Sequence, residues 1–172
     1  MVIDNALFVK NTDRRMIDVT VQVNHALRAD IDNTARSGYY RCAIILACTI
    51  VEGLLYRIVD KHLAMTGGSM GAFNKYKNPH TLPSCYSAQK LVLCILERNN
   101  ISLSNETKFN DLIDYSYRFG LVSKKEKGEI DKVRRLRNKI HIQSIDSDDR
   151  GYTKKKLDQV FNVINFLEPK YP

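Results

Sequence analysis

Cys42, Cys48, Cys85 and Cys94 form no CxxC pair, so neither a zinc ribbon nor a disulfide framework is suggested. His25, His62, His80 and His141 are as scattered and form no HExxH pattern, which leaves no metal-ligand signature. No GxxxxGK[ST] or GxGxxG loop occurs, because Gly67, Gly68 and Gly71 follow no strand-like run; the common phosphate-cradling loops are thereby excluded. A GxSxG nucleophile elbow is missing, and no carboxylate cluster suits a two-metal nuclease. These absences imply a reduced, cytoplasmic protein with no metal and no cofactor. The apolar run Cys42–Val51 is only ten residues long and Glu52 follows it, too short for the ~20 residues that span a bilayer. The first residues lack the basic-then-apolar order of a signal peptide. No membrane is expected among the partners, and the run reads as a buried core helix.

What is present is basic and globular. The chain has 172 residues, 44% apolar and 27% charged, with a formal charge of +8 and a pI near 9.3. That size sustains one core, and the charge favours anionic partners, nucleic acid among them.

Taken in order, residues 1–12 read as an N-terminal arm and 13–172 as a single helical domain. From Asp13 to Arg36, Ile17, Val21, Leu27 and Ile31 recur at helical spacing, predicting an amphipathic helix that Asp13 caps. Ser37-Gly38 breaks it. A second helix from Tyr39 is apolar on most sides through Ile58, as a helix surrounded by others must be. Glu52 lies close to its core level: either an ordinary exposed or arginine-paired carboxylate, or a buried partner for an arginine of 134–137.

Residues 65–83, with Gly67, Gly68, Gly71, Pro79 and Pro83, read as a long loop. Lys75, Tyr76 and Lys77 within it combine a ring that can stack on a base with two cations that can meet phosphate, so the loop either grips a nucleic-acid strand or is a plain flexible crossover. Ser84 caps a predicted third helix to about Arg98, buried through Ala88, Leu91, Val92 and Ile95. A fourth helix carries Phe109, Leu112, Ile113 and Tyr117 and stops at Gly120. Ser123 and Glu126 match a capping box that opens a fifth, which runs to His141. Ser144 to Gly151 is a polar turn, and the last helix spans Thr153 to Glu168. With no convincing strand alternation, the expectation is an all-α bundle of five to six helices.

The fifth helix carries the chemistry. In Val133–His141, Val133, Leu136 and Ile140 are threaded by four cations, an amide and an imidazole. At ~3.6 residues per turn, positions four and seven apart return to one face. Arg134, Arg137, Asn138 and His141 therefore share a stripe beside the buried one, whereas Arg135 and Lys139 point to water. Arginine offers a fork of donors that fits phosphate, and a histidine near pKa ~6.5 exchanges protons at neutral pH. Those parts suit metal-free RNA cleavage, in which a 2′-hydroxyl attacks the adjacent phosphorus. Equally, cations at a helix C-terminus stabilise the helix itself, and the cluster then has a purely structural use.

The segment Leu136-Arg137-Asn138-Lys139-Ile140-His141 resembles the "RN…H" signature of the HEPN superfamily of small helical bundles. The apolar run Tyr40–Ala47 with Glu52 and Leu55 is similar to the helix that precedes it in that family, and the helix order matches over residues 13–168. The resemblance implies a metal-independent endoribonuclease of toxin–antitoxin or phage-defence type, a homodimer with the signature at its interface, and a cognate antitoxin or effector-system protein as partner. It also admits a non-catalytic RNA- or nucleotide-binding or protein-interaction module. By resemblance Arg137, Asn138, His141 and Arg134 are the catalytic candidates; Arg135, Lys139, Lys75 and Lys77 are the RNA-binding candidates. The spacing departs from the active signature, whose arginine stands further from its histidine than Arg137 does. Arg137 leaves three residues before His141, Arg135 leaves five and Arg134 leaves six.

Overall fold

The computed structural model describes residues 5–66, 73–81, 92–99, 103–104, 106–142 and 151–171; for 5, 73–81, 92–99, 141 and 142 only the backbone is described. Two compact units emerge, one from residues 1–59 with 107–172 and one from residues 60–106.

The first unit is an all-α bundle. Its helices are α1 (Asn5–Ala26), α2 (Asn33–Met65, whose end passes into the second unit), α3 (Phe109–Arg118), α4 (Lys124–Ile142) and α5 (Lys154–Leu167), with a 3₁₀ turn at Glu168–Lys170. Helix α2 is its core. Tyr40, Ala43, Ile44, Ala47, Cys48, Val51, Leu54, Leu55, Ile58 and Val59 are all buried, so most of its surface is covered, while Cys42 stays exposed and Ile45, Thr49 and Tyr56 are half-buried. Each large apolar side chain removed from water contributes about 1.5–3 kcal/mol. Among the described residues α2 alone has the length and hydropathy of a membrane span, yet 56% of its most apolar window is buried within the protein.

Helix α1 departs from the expectation at both ends and in its buried face. It begins at Asn5, so the expected arm at 1–12 is largely its first turns and Asp13 sits inside the helix rather than capping it. Ile17, Val21 and Leu27, expected inside, are 62%, 43% and 63% exposed. Val19 and Ala26 are buried instead, with Phe8, Thr12, Met16 and Val23 half-buried beside them. That series also repeats every three or four residues. Two apolar series run along this helix, and the one that meets α2 won.

The break lies at residues 27–32, not at Ser37-Gly38. Asp32 caps α2 by accepting from the Ala35 N–H at 2.7 Å. Arg36 donates back to the Ala26 and Arg28 carbonyls at 3.1 and 3.2 Å, which satisfies groups that the end of α1 leaves open. Ser37 is buried, and its hydroxyl accepts from the Tyr152 N–H at 3.0 Å, tying α2 to the approach of α5.

The α3–α4 junction follows its sequence signals. Gly120 takes φ of +70° directly after the C-cap Phe119, a conformation that costs a side-chain-bearing residue about 1–2 kcal/mol. The capping box is complete: Glu126 N–H donates to Ser123 Oγ at 3.2 Å, and Ser123 N–H donates to Glu126 Oε2 at 2.6 Å. Helix α5 buries Leu157, Val160, Val163, Ile164 and Leu167.

The second unit overturns two expectations. Part of the predicted loop at 65–83 is strand β1 (Phe73–Thr81), and part of the predicted helix to Arg98 is strand β2 (Val92–Asn99). They pair antiparallel from Phe73 opposite Asn99 to Thr81 opposite Val92, with a register shift between Lys77 and His80. The unbroken apolar run Leu91–Leu96 fits a buried strand as readily as a helix, and pairing with β1 decided between them. Ser84, Ala88 and Leu91 lie outside the described residues, as does nearly all of the predicted 144–151 turn.

Candidate functional site

Helix α4 meets α3 at its first turn, where Lys127 Nζ donates to Asp114 Oδ1 at 2.7 Å, and meets α2 and α3 again around Val133 and Arg137. Val133 and Ile140 are 2% exposed and fix the rotation of the helix. That rotation leaves Arg134, Arg137 and Asn138 half-buried along one side, with Arg135 and Lys139 exposed, the stripe read from the spacing. His141 stands in the last turn of α4, one turn after Arg137; its side chain lies outside the described residues.

Arg137 is answered across the helix interface. Its Nη2 lies 3.2 Å from Glu52 Oε2 of α2, with the two side chains 28% and 27% exposed. The guanidinium also stands 5.9 Å from the centroid of the Phe109 ring of α3. Its Nε is buried without a hydrogen-bond partner among the described residues. Glu52 thus proves to be an arginine's partner, half-buried rather than free in water.

Cys48 lies one turn before Glu52 on the same face of α2, and its Sγ is 4.0 Å from the Val133 carbonyl. Burial pushes its thiol up to about 12, against a smaller downward pull from Arg137, while Glu52 adds to the rise. A thiol held neutral packs as a small hydrophobe and is a poor nucleophile. The other described free cysteine, Cys42, is exposed.

Asp131 holds the other two arginines. Arg134 Nε donates to Asp131 Oδ1 at 2.8 Å, and Arg135 Nη2 lies 2.7 Å from Oδ2. Partial burial of this carboxyl works to raise its pKa, but hydrogen bonds and charge from Arg134 and then Arg135 outweigh it, so it ionises more readily than an ordinary aspartate. Both arginines proposed to hold phosphate are therefore already bound to a carboxylate, Arg137 to Glu52 and Arg134 to Asp131.

Lys75 and Lys77 belong to β1 in the second unit, at register positions opposite Glu97 and Ile95, and their side chains lie outside the described residues. Asp131 was missed as a site residue. Its signal was present in its spacing, three and four residues before Arg134 and Arg135, where side chains meet on a helix. Phe109 had no such signal, because its place beside Arg137 depends on the packing of α3. Among the described residues no group of three or more His, Cys, Asp or Glu side chains is placed to hold a metal.

Chemically, the stripe offers a fixed guanidinium fork, an adjacent amide and a helix end one turn away that carries a histidine. Comparison with family models finds no match for this chain, and comparisons with curated proteins and with solved structures find none either.

Proposed function

We propose that this protein is a metal-independent endoribonuclease of the HEPN kind, cleaving single-stranded RNA at the end of α4. The observation that carries the reading is Arg137, presented half-exposed beside Asn138 and braced from a second helix by Glu52 at 3.2 Å. A guanidinium held in one orientation loses less freedom on meeting a phosphate than a mobile one, which is the usual advantage of a supported site residue. In the reaction, His141 takes the proton from the 2′-hydroxyl or delivers one to the leaving 5′-oxygen. The 2′-oxygen bonds to phosphorus as the bond to the 5′-oxygen breaks, leaving a cyclic phosphate and a free hydroxyl. Arg137, with Arg134 in support, offsets the charge gathering on the phosphate oxygens. One α4 end supplies half of a bilateral site, so the working form is a two-fold dimer that sets two such ends together. The proposed setting is cytoplasmic, as a toxin or defence effector with a cognate partner protein.

A second reading has a specific observation in its favour. Because Glu52 and Asp131 already neutralise Arg137 and Arg134, a phosphate must share or displace a carboxylate. A module that docks RNA through the exposed Arg135 and Lys139 without cutting it is compatible with that pairing.

Incubating the protein with labelled single-stranded RNA in EDTA, beside His141→Ala and Arg137→Ala, separates the two. Cutting by the wild type that His141→Ala abolishes, with its fold and RNA affinity kept, supports the nuclease. Salt-sensitive binding without turnover in any of the three proteins sinks it in favour of the module, and neither binding nor cutting by the wild type removes both.

A further inference from the structure

The face of the bundle formed by α1, α2 and α5 carries a partly open cavity of about 210 Å³, and none of the candidate site residues lines it. Met16 of α1 with Ile50 and Leu54 of α2 give it an apolar wall, and three rings, Phe8, Phe161 and Tyr171, also line it. An apolar cavity of about 150 Å³ already accepts a benzene ring, so the space suits a single ring or a short alkyl chain.

Two further features define what the occupant's other end must be. Asp13 and Glu168 both line the cavity and are exposed, and neither carboxylate has an ion-pair partner among the described residues. Two carboxylates at the rim of one cavity, each without an ion-pair partner among the described residues, are placed to meet a cationic head group, while Arg57, held over Phe8, is the positive charge such a head must avoid. An aromatic face attracts a cation within about 6 Å of its centroid. Phe8 is already engaged in this way: the Arg57 guanidinium stands 5.5 Å from its centroid, and Phe8 meets the Tyr171 ring at 5.3 Å and 47°, so the head of an added cation belongs at the carboxylates rather than at this ring. Gly53 leaves room for that arrangement, because a Cβ there would stand 3.1 Å from the Phe8 ring.

We propose that the α1–α2–α5 cavity is a binding site for a small organic ammonium ion, its apolar body against the rings and the Met16, Ile50 and Leu54 wall and its charged head at the Asp13 and Glu168 carboxylates. This assignment stands independently of the proposed RNA chemistry.

The test is a calorimetric and NMR titration of the full chain with 2-phenylethylammonium, beside 2-phenylethanol, which has the same shape without the charge. The expected result is saturable binding of the ammonium at least tenfold tighter than the alcohol, with resonances of Met16, Ile50 and Leu54 shifting together. The Asp13→Asn/Glu168→Gln double variant, altered only at exposed positions, should weaken it about tenfold. Asn165→Trp, at an exposed position lining the cavity, should block it by filling the space. Absence of saturable binding by the folded wild type overturns the proposal. So does equal affinity for the alcohol, ammonium binding that the double variant leaves unchanged, or shifts that map elsewhere on the chain. If the double variant does not fold, Glu168→Gln alone carries the same comparison.

Discussion

Arg137 brings a permanent charge to the junction of α2, α3 and α4, and the Glu52 carboxylate is what makes that tolerable. Removing one partner of a well-buried ion pair costs about 3–5 kcal/mol, whereas exposed pairs contribute about 0–1 kcal/mol. With both side chains a little over a quarter exposed, Glu52→Ala is expected to destabilise the fold by about 1–3 kcal/mol, measured by urea unfolding. Arg137→Met removes the charge while keeping an apolar stem over Phe109. The double variant should recover part of the loss, and strictly additive single costs would mean the pair is not coupled. Cys48 beside them gives a pH test. Burial raises its thiol from an ordinary 9.0 to about 12, so the folded chain holds this proton more tightly than the unfolded one. The corresponding stability is fully present below about pH 9 and is lost as pH rises toward 12. Wild type should therefore lose more stability than Cys48→Ala over that alkaline window, and identical slopes would show that the thiol does not contribute. At pH 8, alkylation should modify exposed Cys42 and spare Cys48, as read by mass spectrometry.

At the scale of elements, the sequence is most legible where a local bond dictates the outcome. The Ser123–Glu126 box and the Gly120 stop need only neighbouring residues, and both stand where the letters place them. Ser123→Ala should cost about 1 kcal/mol by leaving N-terminal donors of α4 unmet. A variant as stable as wild type in thermal unfolding would assign the start of α4 to packing alone. Legibility fails where two solutions fit one pattern. Helix α1 has two apolar series, and which one is buried is decided by α2 rather than by α1. The Leu91–Leu96 run suits strand or helix, and β1 decided it through a pairing partner more than ten residues away. The candidate site was legible for the same local reason as the cap, since the half-buried stripe of Arg134, Arg137 and Asn138 follows from helical spacing. Its pairing to Glu52 crosses 85 positions of chain (from 52 to 137); the apolar surroundings of Glu52 mark it as a carboxylate in need of an arginine, but which arginine of 134–137 it meets is decided by the packing of α2 against α4.

For the whole molecule, the +8 charge is a statement about partners, and its distribution along α4 sharpens it. Arg134 and Arg137 are countered by Asp131 and Glu52, while Lys139 stays exposed and Arg135 shares Asp131 from a side chain that is 70% exposed. Binding to a single strand releases counterions, so the logarithm of affinity falls with the logarithm of salt at about −0.7 per phosphate neutralised. If RNA docks on this end of α4 as proposed, the Arg135→Gln/Lys139→Gln variant should show a salt slope shallower by about 1.4, from two contacts at 0.7 each. Glu52→Gln should do the reverse: it frees the Arg137 fork for phosphate and steepens the slope while weakening the fold. Fluorescence anisotropy of a labelled single strand across salt concentrations reads both. An unchanged slope in the first variant would move the RNA contact away from α4. A steeper slope in the second together with lost cleavage would show that Glu52 holds Arg137 in the orientation the reaction uses, at the expense of charge available for binding.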